Sequence, residues 1–129
     1  MSFLRTTDQI KIEFAFNCAR NASVLGKEYK SYVKKLPMLI KTNGLGAAFA
    51  FMYSKRSKEE GKFWNSIGRD IYNWLNYRNM INSDKVRSFD ELVFAISQIS
   101  SVEYRKITSE VLSFLSWLKR FADGLIEGD

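Results

Sequence analysis

Chemistry-bearing side chains in this sequence are mostly cations, and what is missing around them narrows their use. The chain has 129 residues, no histidine and one cysteine, Cys18, so an intramolecular disulfide, a Cys/His zinc cluster and histidine acid–base catalysis are excluded. Asp and Glu are scattered over polar faces without a set that would hold magnesium or work as an acid–base pair. Gly44 and Gly46 stand without the Gly-Lys-Ser/Thr of a phosphate loop. Lysine and arginine number 20 against 14 acids, a net charge of +6, which favours a polyanionic partner, nucleic acid first and an anionic membrane surface second. Lys27, Lys30, Lys34 and Lys41 fall within an arc of about 60° if their segment is helical. Lys55, Arg56, Lys58 and Lys62 crowd a polar connection, which could clamp phosphates since backbone contacts need charge more than fixed geometry. Each group reads equally well as a solvated face.

The elements that must carry these cations are helical throughout. Over Ser101 to Leu125, the residues Tyr104, Ile107, Val111, Phe114, Leu118, Phe121 and Leu125 recur at steps of three and four, a core-facing seam. Ser100 or Ser101 caps that helix, Ser100 with Glu103 matching the capping-box pattern. At about 24 residues it spans about 36 Å and serves as the scaffold for shorter helices. Trp117 points about 110° from the seam, beside Lys106, Ser113 and Arg120, either packed on a second helix or exposed as a contact residue.

Upstream, a first helix starts near Thr6 or Thr7, capped by Thr7 or Asp8, and runs to about Val24 before Gly26. Ile10, Phe14, Cys18, Ala22 and Leu25 share its buried face, making Cys18 a small core residue. The second, about Lys27 to Thr42, buries Tyr29, Tyr32, Val33, Leu36, Leu39 and Ile40, and Pro37 should kink it or end its first half. Asn43 or Gly44 breaks the chain with a left-handed residue. Leu45 to about Tyr53, rich in alanine, is expected to be the most buried element. A fourth helix, about Lys62 to Arg78, holds Trp64 and Trp74 as core rather than base-stacking platforms. Ser88 and Glu91 open a short fifth through Leu92, Val93, Ile96 and Ile99. No strand alternation and no repeat appears, so the expected fold class is all-α, a single-domain bundle of about five or six helices over residues 1–129.

The N-terminus MSFLRTTDQI lacks the sections of a signal peptide, and the apolar run from Leu45 to Tyr53 is nine residues against about 20 for a bilayer span, so a soluble cytoplasmic protein without membrane contact is expected.

Three segments carry a family resemblance. They are Tyr32-Val33-Lys34-Lys35-Leu36-Pro37, then Asn43-Gly44-Leu45 followed by Ala48-Phe49-Ala50-Phe51, and Tyr104-Arg105-Lys106-Ile107-Thr108-Ser109-Glu110 leading to Phe114-Leu115-Ser116-Trp117-Leu118-Lys119-Arg120-Phe121-Ala122. In this order the chain resembles the small all-helical subunit of the type III-B CRISPR RAMP-module (Cmr) effector complex, while Lys55 to Arg87 matches in character only. The resemblance implies a subunit without catalysis or cofactor in RNA-guided antiviral defence, its partners the other subunits of the Cmr complex, crRNA and target RNA, and neighbouring copies of itself. In such an assembly base pairing selects the sequence and the protein holds backbone. On that footing Lys34, Lys41, Lys55, Arg56, Lys58, Arg105, Lys119 and Arg120 are the expected RNA-backbone contacts. A duplex-DNA regulator and a purely structural adaptor docking an acidic protein are the alternatives.

Overall fold

The computed structural model describes residues 4–128, folded as six α-helices and one short 3-10 turn, with no strand among them. Helix α1 spans Thr7–Ala22 and passes through the 3-10 turn Ser23–Leu25 into α2, Glu28–Asn43. Then follow α3 (Leu45–Ser54), α4 (Gly61–Tyr77), α5 (Phe89–Ala95) and α6 (Ser101–Leu125). The 25-residue α6 is the scaffold its seam predicts, lying chiefly against α1 and α2 and also touching α4. Its buried face is Ile107, Val111, Phe114, Leu115, Leu118 and Ala122. Leu125, expected on the seam, is instead 39% exposed, while Ala122 and Ile126 on either side of it are buried.

Local signals set the helix starts. Thr6, rather than Thr7 or Asp8, caps α1, and it does so in a full capping box: Thr6 Oγ1 accepts from the Gln9 N–H at 3.1 Å and Gln9 Oε1 accepts from the Thr6 N–H at 2.8 Å. Ser100 accepts from the Glu103 N–H at 3.1 Å and Ser88 from the Glu91 N–H at 3.2 Å. Helix α5 ends earlier than expected, at Ala95, and continues only as turns.

Pro37 does not end α2, which runs on to Asn43. The break falls at Gly44, whose φ of 91° is costly for any residue with a β-carbon. Having no side chain, Gly44 cannot cap α3. Tyr104 of α6 supplies the acceptor instead, its hydroxyl taking the Gly46 N–H at 2.8 Å.

Two aromatic clusters knit the helices. Phe14, Trp74 and Phe114 join α1, α4 and α6, with Phe14 5.1 Å from Trp74 and Trp74 stacked on Phe114 at 6.1 Å. Tyr32 stacks on Phe63 at 4.6 Å and meets Trp64 edge-on at 5.0 Å, joining α2 to α4. Trp64 and Trp74 are fully buried core residues, as their spacing indicates, and truncating either to alanine should cost about 3–5 kcal/mol. The most buried helix is α4, not α3. Nine of its 17 residues are buried, whereas α3 buries Leu45, Ala48, Phe49 and Met52 and leaves Ala47, Ala50, Phe51 and Tyr53 on the surface. The alanines of α3 therefore mark a thin covering layer, not a central one.

The buried face of α1 is rotated from the expected one. Lys11, Ala15, Cys18, Ala19 and Ala22 are buried, while Ile10, Phe14 and Leu25 are only partly covered. Lys11 is tolerated there because its ammonium reaches Glu110 Oε2 at 2.9 Å and Ser113 Oγ at 2.8 Å.

Candidate functional site

Helices α2 and α6 run beside each other, and the seam between them opens to solvent as a groove of about 320 Å³. Spacing of three and four along α2 brings Lys34, Pro37, Met38 and Lys41 to one wall, and the same spacing on α6 brings Leu112, Ser116, Lys119 and Arg120 to the other. The lining holds four cations and no carboxylate. None of the four belongs to an ion pair among the described residues. Arg120 is braced: its guanidinium lies 5.0 Å over the Trp117 ring, Trp117 stacks on Phe121 at 6.0 Å, and Phe121 meets Phe16 of α1 edge-on at 5.4 Å. Trp117 is thus partly buried, closing a chain of rings that reaches α1 while stiffening a cation at the groove. Chemically the groove can attract and hold phosphates, since Arg offers a planar fork and Lys a mobile point charge.

The other expected contacts divide. Lys30 leaves the strip for a structural task at the end of α6, and Lys27 lies near the same end. Lys30 Nζ donates to the Ile126 carbonyl at 3.0 Å and also to the Gly128 carbonyl. A β-carbon on Gly128 would come within 2.9 Å of the Lys27 side chain. Lys55 pairs with Glu60 at 3.6 Å and lies 5.4 Å over Phe51, so its charge is partly neutralised. Lys58 shares a cleft with Lys62 and three carboxylates, Glu28, Glu59 and Glu60. In that cleft the Tyr32 phenol is held above its ordinary pKa, first by desolvation and then by Glu60 and Glu28. Such surroundings repel a polyanion. Arg105 is exposed on α6, seven residues before Leu112 and on the same side by helical spacing, outside the groove itself. Arg56 is held over the Tyr53 ring at 3.7 Å and turns into a separate cleft shared with Arg69 and Arg87.

Sequence reasoning missed Pro37, Met38, Leu112 and Ser116 as groove lining. Pro37 reads only as a kink or as the end of the helix's first half, and Met38 draws no reading from the sequence. The available signal is that both fall between Lys34 and Lys41 on one helical face.

Among the described residues, no group of His, Cys, Asp and Glu is arranged to hold a metal ion. Cys18 is buried beside Asp70, and its thiol is pushed far above the usual range, by desolvation first and then by the Asp70 charge, so it is a poor nucleophile. No helix among the described residues is long and apolar enough to cross a membrane.

The family described as CRISPR-associated protein (Cas_Cmr5) matches residues 7–125 of the chain. The chain belongs to this family. A CRISPR system Cmr subunit Cmr5 from Thermus thermophilus is 35% identical over 126 residues, covering 96% of this chain and 99% of that protein. The crystal structure of a CRISPR-associated Cmr5 family protein from the same species superposes with a TM-score of 0.74 at 32% identity, over 95% of this chain and all of the other. Several residues in the segments that carry the resemblance have structural tasks in this Cmr5-family chain: Gly44 makes the α2–α3 break, Tyr104 caps α3 and Glu110 accepts the Lys11 ammonium.

Proposed function

We propose that this chain is the small, non-catalytic subunit of a type III-B CRISPR Cmr effector complex in antiviral defence, and that its α2/α6 groove holds RNA backbone. It works in the cytoplasm, beside the other Cmr subunits, crRNA and target RNA and neighbouring copies of itself. The observation that supports this reading best is the groove lining, in which Lys34, Lys41, Lys119 and Arg120 stand together without a carboxylate. Histidine is absent from the chain, and the one cysteine is buried with its thiol held protonated, so neither histidine acid–base chemistry nor a cysteine nucleophile is open to it. Backbone contacts carry no sequence information, which suits a subunit whose complex chooses its target by base pairing. Lys55, Lys58 and Arg105 are secondary to this groove in the proposal, Lys55 and Lys58 because acids attend them.

The test is Lys34→Glu with Lys41→Glu and Lys119→Glu in the reconstituted complex. Target-RNA retention should fall for every sequence alike, and the salt dependence should flatten by about 0.7 in log–log slope for each single-strand phosphate no longer neutralised. Retention and slope equal to the parent's would place the RNA surface elsewhere.

A further inference from the structure

A second cluster of cations lies on elements that the α2/α6 groove does not use. The turn at residues 55–60, helix α4 and the segment 87–90 enclose a cleft of about 490 Å³ whose lining includes Arg56, Arg69 and Arg87, with Asp90 as its single carboxylate. Three guanidiniums against one acid give the lining itself a formal charge of +2, with two further carboxylates just outside it, Asp70 next to Arg69 and Glu91, which accepts the Arg87 backbone N–H at 2.7 Å.

The cleft is firmly built. A β-carbon on Gly61 would meet the Arg56 carbonyl oxygen at 2.4 Å, so glycine is what lets the turn close onto the start of α4. Asn65 fastens that closure by donating to the same carbonyl at 3.0 Å. On the far side, a β-carbon on Gly68 would meet the Phe89 ring at 2.7 Å, and the Tyr72 hydroxyl donates to the Val86 carbonyl at 2.7 Å. Both walls are thereby fixed to the helix that carries Arg69. Arg56 is oriented in turn by Tyr53, which lies under its guanidinium at 3.7 Å and accepts a hydrogen bond through its carbonyl at 2.9 Å, leaving the other guanidinium donors uncommitted. Arg69 and Arg87 are both exposed, and neither side chain is in an ion pair or hydrogen bond among the described residues.

We infer that this cleft is a second phosphate-binding site, taking the phosphodiester backbone of a nucleic-acid strand independently of the α2/α6 groove. A planar carboxylate is matched by one guanidinium, whereas the oxygens of a phosphate can bridge two or three arriving from different directions. Asn65 and Asn73, one helical turn on either side of Arg69, add neutral donors of the kind that position a backbone without reading bases. The inference goes beyond the α2/α6 reading, with which it shares no residue.

Binding of a fluorescent oligouridylate to the full chain tests it, in the parent and in a Lys34→Glu/Lys41→Glu background. Arg69→Gln with Arg87→Gln should weaken binding in both backgrounds and lower the salt slope by about 1.4, or about 0.7 for each phosphate no longer neutralised. Arg69→Lys with Arg87→Lys should keep most of the slope, which ties the loss to charge and not to folding. An unchanged slope in the glutamine variant overturns the proposal. So does dependence of poly-glutamate binding, but not oligouridylate binding, on these arginines, which would make the cleft a dock for an acidic protein. Inorganic phosphate binding there without any arginine dependence of oligouridylate binding would overturn it too, leaving a free-anion site. If Arg69→Gln with Arg87→Gln loses affinity while Lys34→Glu with Lys41→Glu does not, the α2/α6 reading fails and this one stands.

Discussion

Lys11 Nζ and Glu110 Oε2 lie 2.9 Å apart with their side chains only 6% and 14% exposed, a nearly buried ion pair that ties the first helix to the last. Glu110 is the hub. It also accepts the Trp74 indole N–H at 2.8 Å and faces Arg78 at 3.4 Å, so one carboxylate connects α1, α4 and α6. Removing a partner strands the other charge, whereas replacing the pair together does not. Glu110→Ala should therefore cost about 3–5 kcal/mol in urea unfolding, and Lys11→Met combined with Glu110→Gln distinctly less, since glutamine still accepts from Trp74. Equal losses in the two variants would mean that charge burial is not what the pair contributes.

Asp70 gives the fold a pH dependence of unusual sign for a carboxylate. Desolvation raises it to about 6, Arg69 opposing, where an unfolded aspartate titrates near 3.9. The folded chain therefore holds this proton more tightly than the unfolded one. Its contribution is most favourable below about pH 4 and is lost as pH rises through about 6. Asp70→Asn should stabilise the protein by an amount on the order of 1–3 kcal/mol at about pH 7.5, with the gain vanishing near pH 4. Chemical denaturation of both proteins across that range is the measurement, and a gain that does not vary with pH would refute the account.

How far the sequence reveals this fold depends on whether a feature is local. Helix α6, the Trp64 and Trp74 core and the Gly44 break follow from periodicity and from glycine's backbone freedom, which neighbouring residues determine. The rotation of α1 was hidden because a lysine at a core position looks like a surface residue until Glu110, 99 positions away, is brought to it. The lysine strip on α2 was legible as a strip but not in its fate. Packing of α2 along α6 turns Lys30 to the terminal carbonyls and leaves Lys34 and Lys41 to meet Lys119 and Arg120. The arginine cleft escaped for the same reason, its three guanidiniums arriving from three elements with no shared spacing.

The Tyr104 hydroxyl and the Gly44 backbone meet at the start of α3, and their contributions can be separated. Tyr104→Phe keeps the ring but removes the acceptor of the Gly46 N–H, a half-buried first-turn donor, and should cost about 1–2 kcal/mol. Gly44→Ala should cost a similar amount, about 1–2 kcal/mol, for a different reason. The added β-carbon would sit 3.5 Å from the Tyr104 oxygen, an ordinary contact, so the penalty comes from holding a φ of 91° and not from collision. A double-mutant cycle decides between the two origins. If the cost is conformational, Gly44→Ala destabilises the Tyr104→Phe background as much as the parent in thermal or urea unfolding. If instead the alanine is harmless once the hydroxyl is gone, crowding against Tyr104 was the cause, and glycine is required at this break for space and not for its backbone.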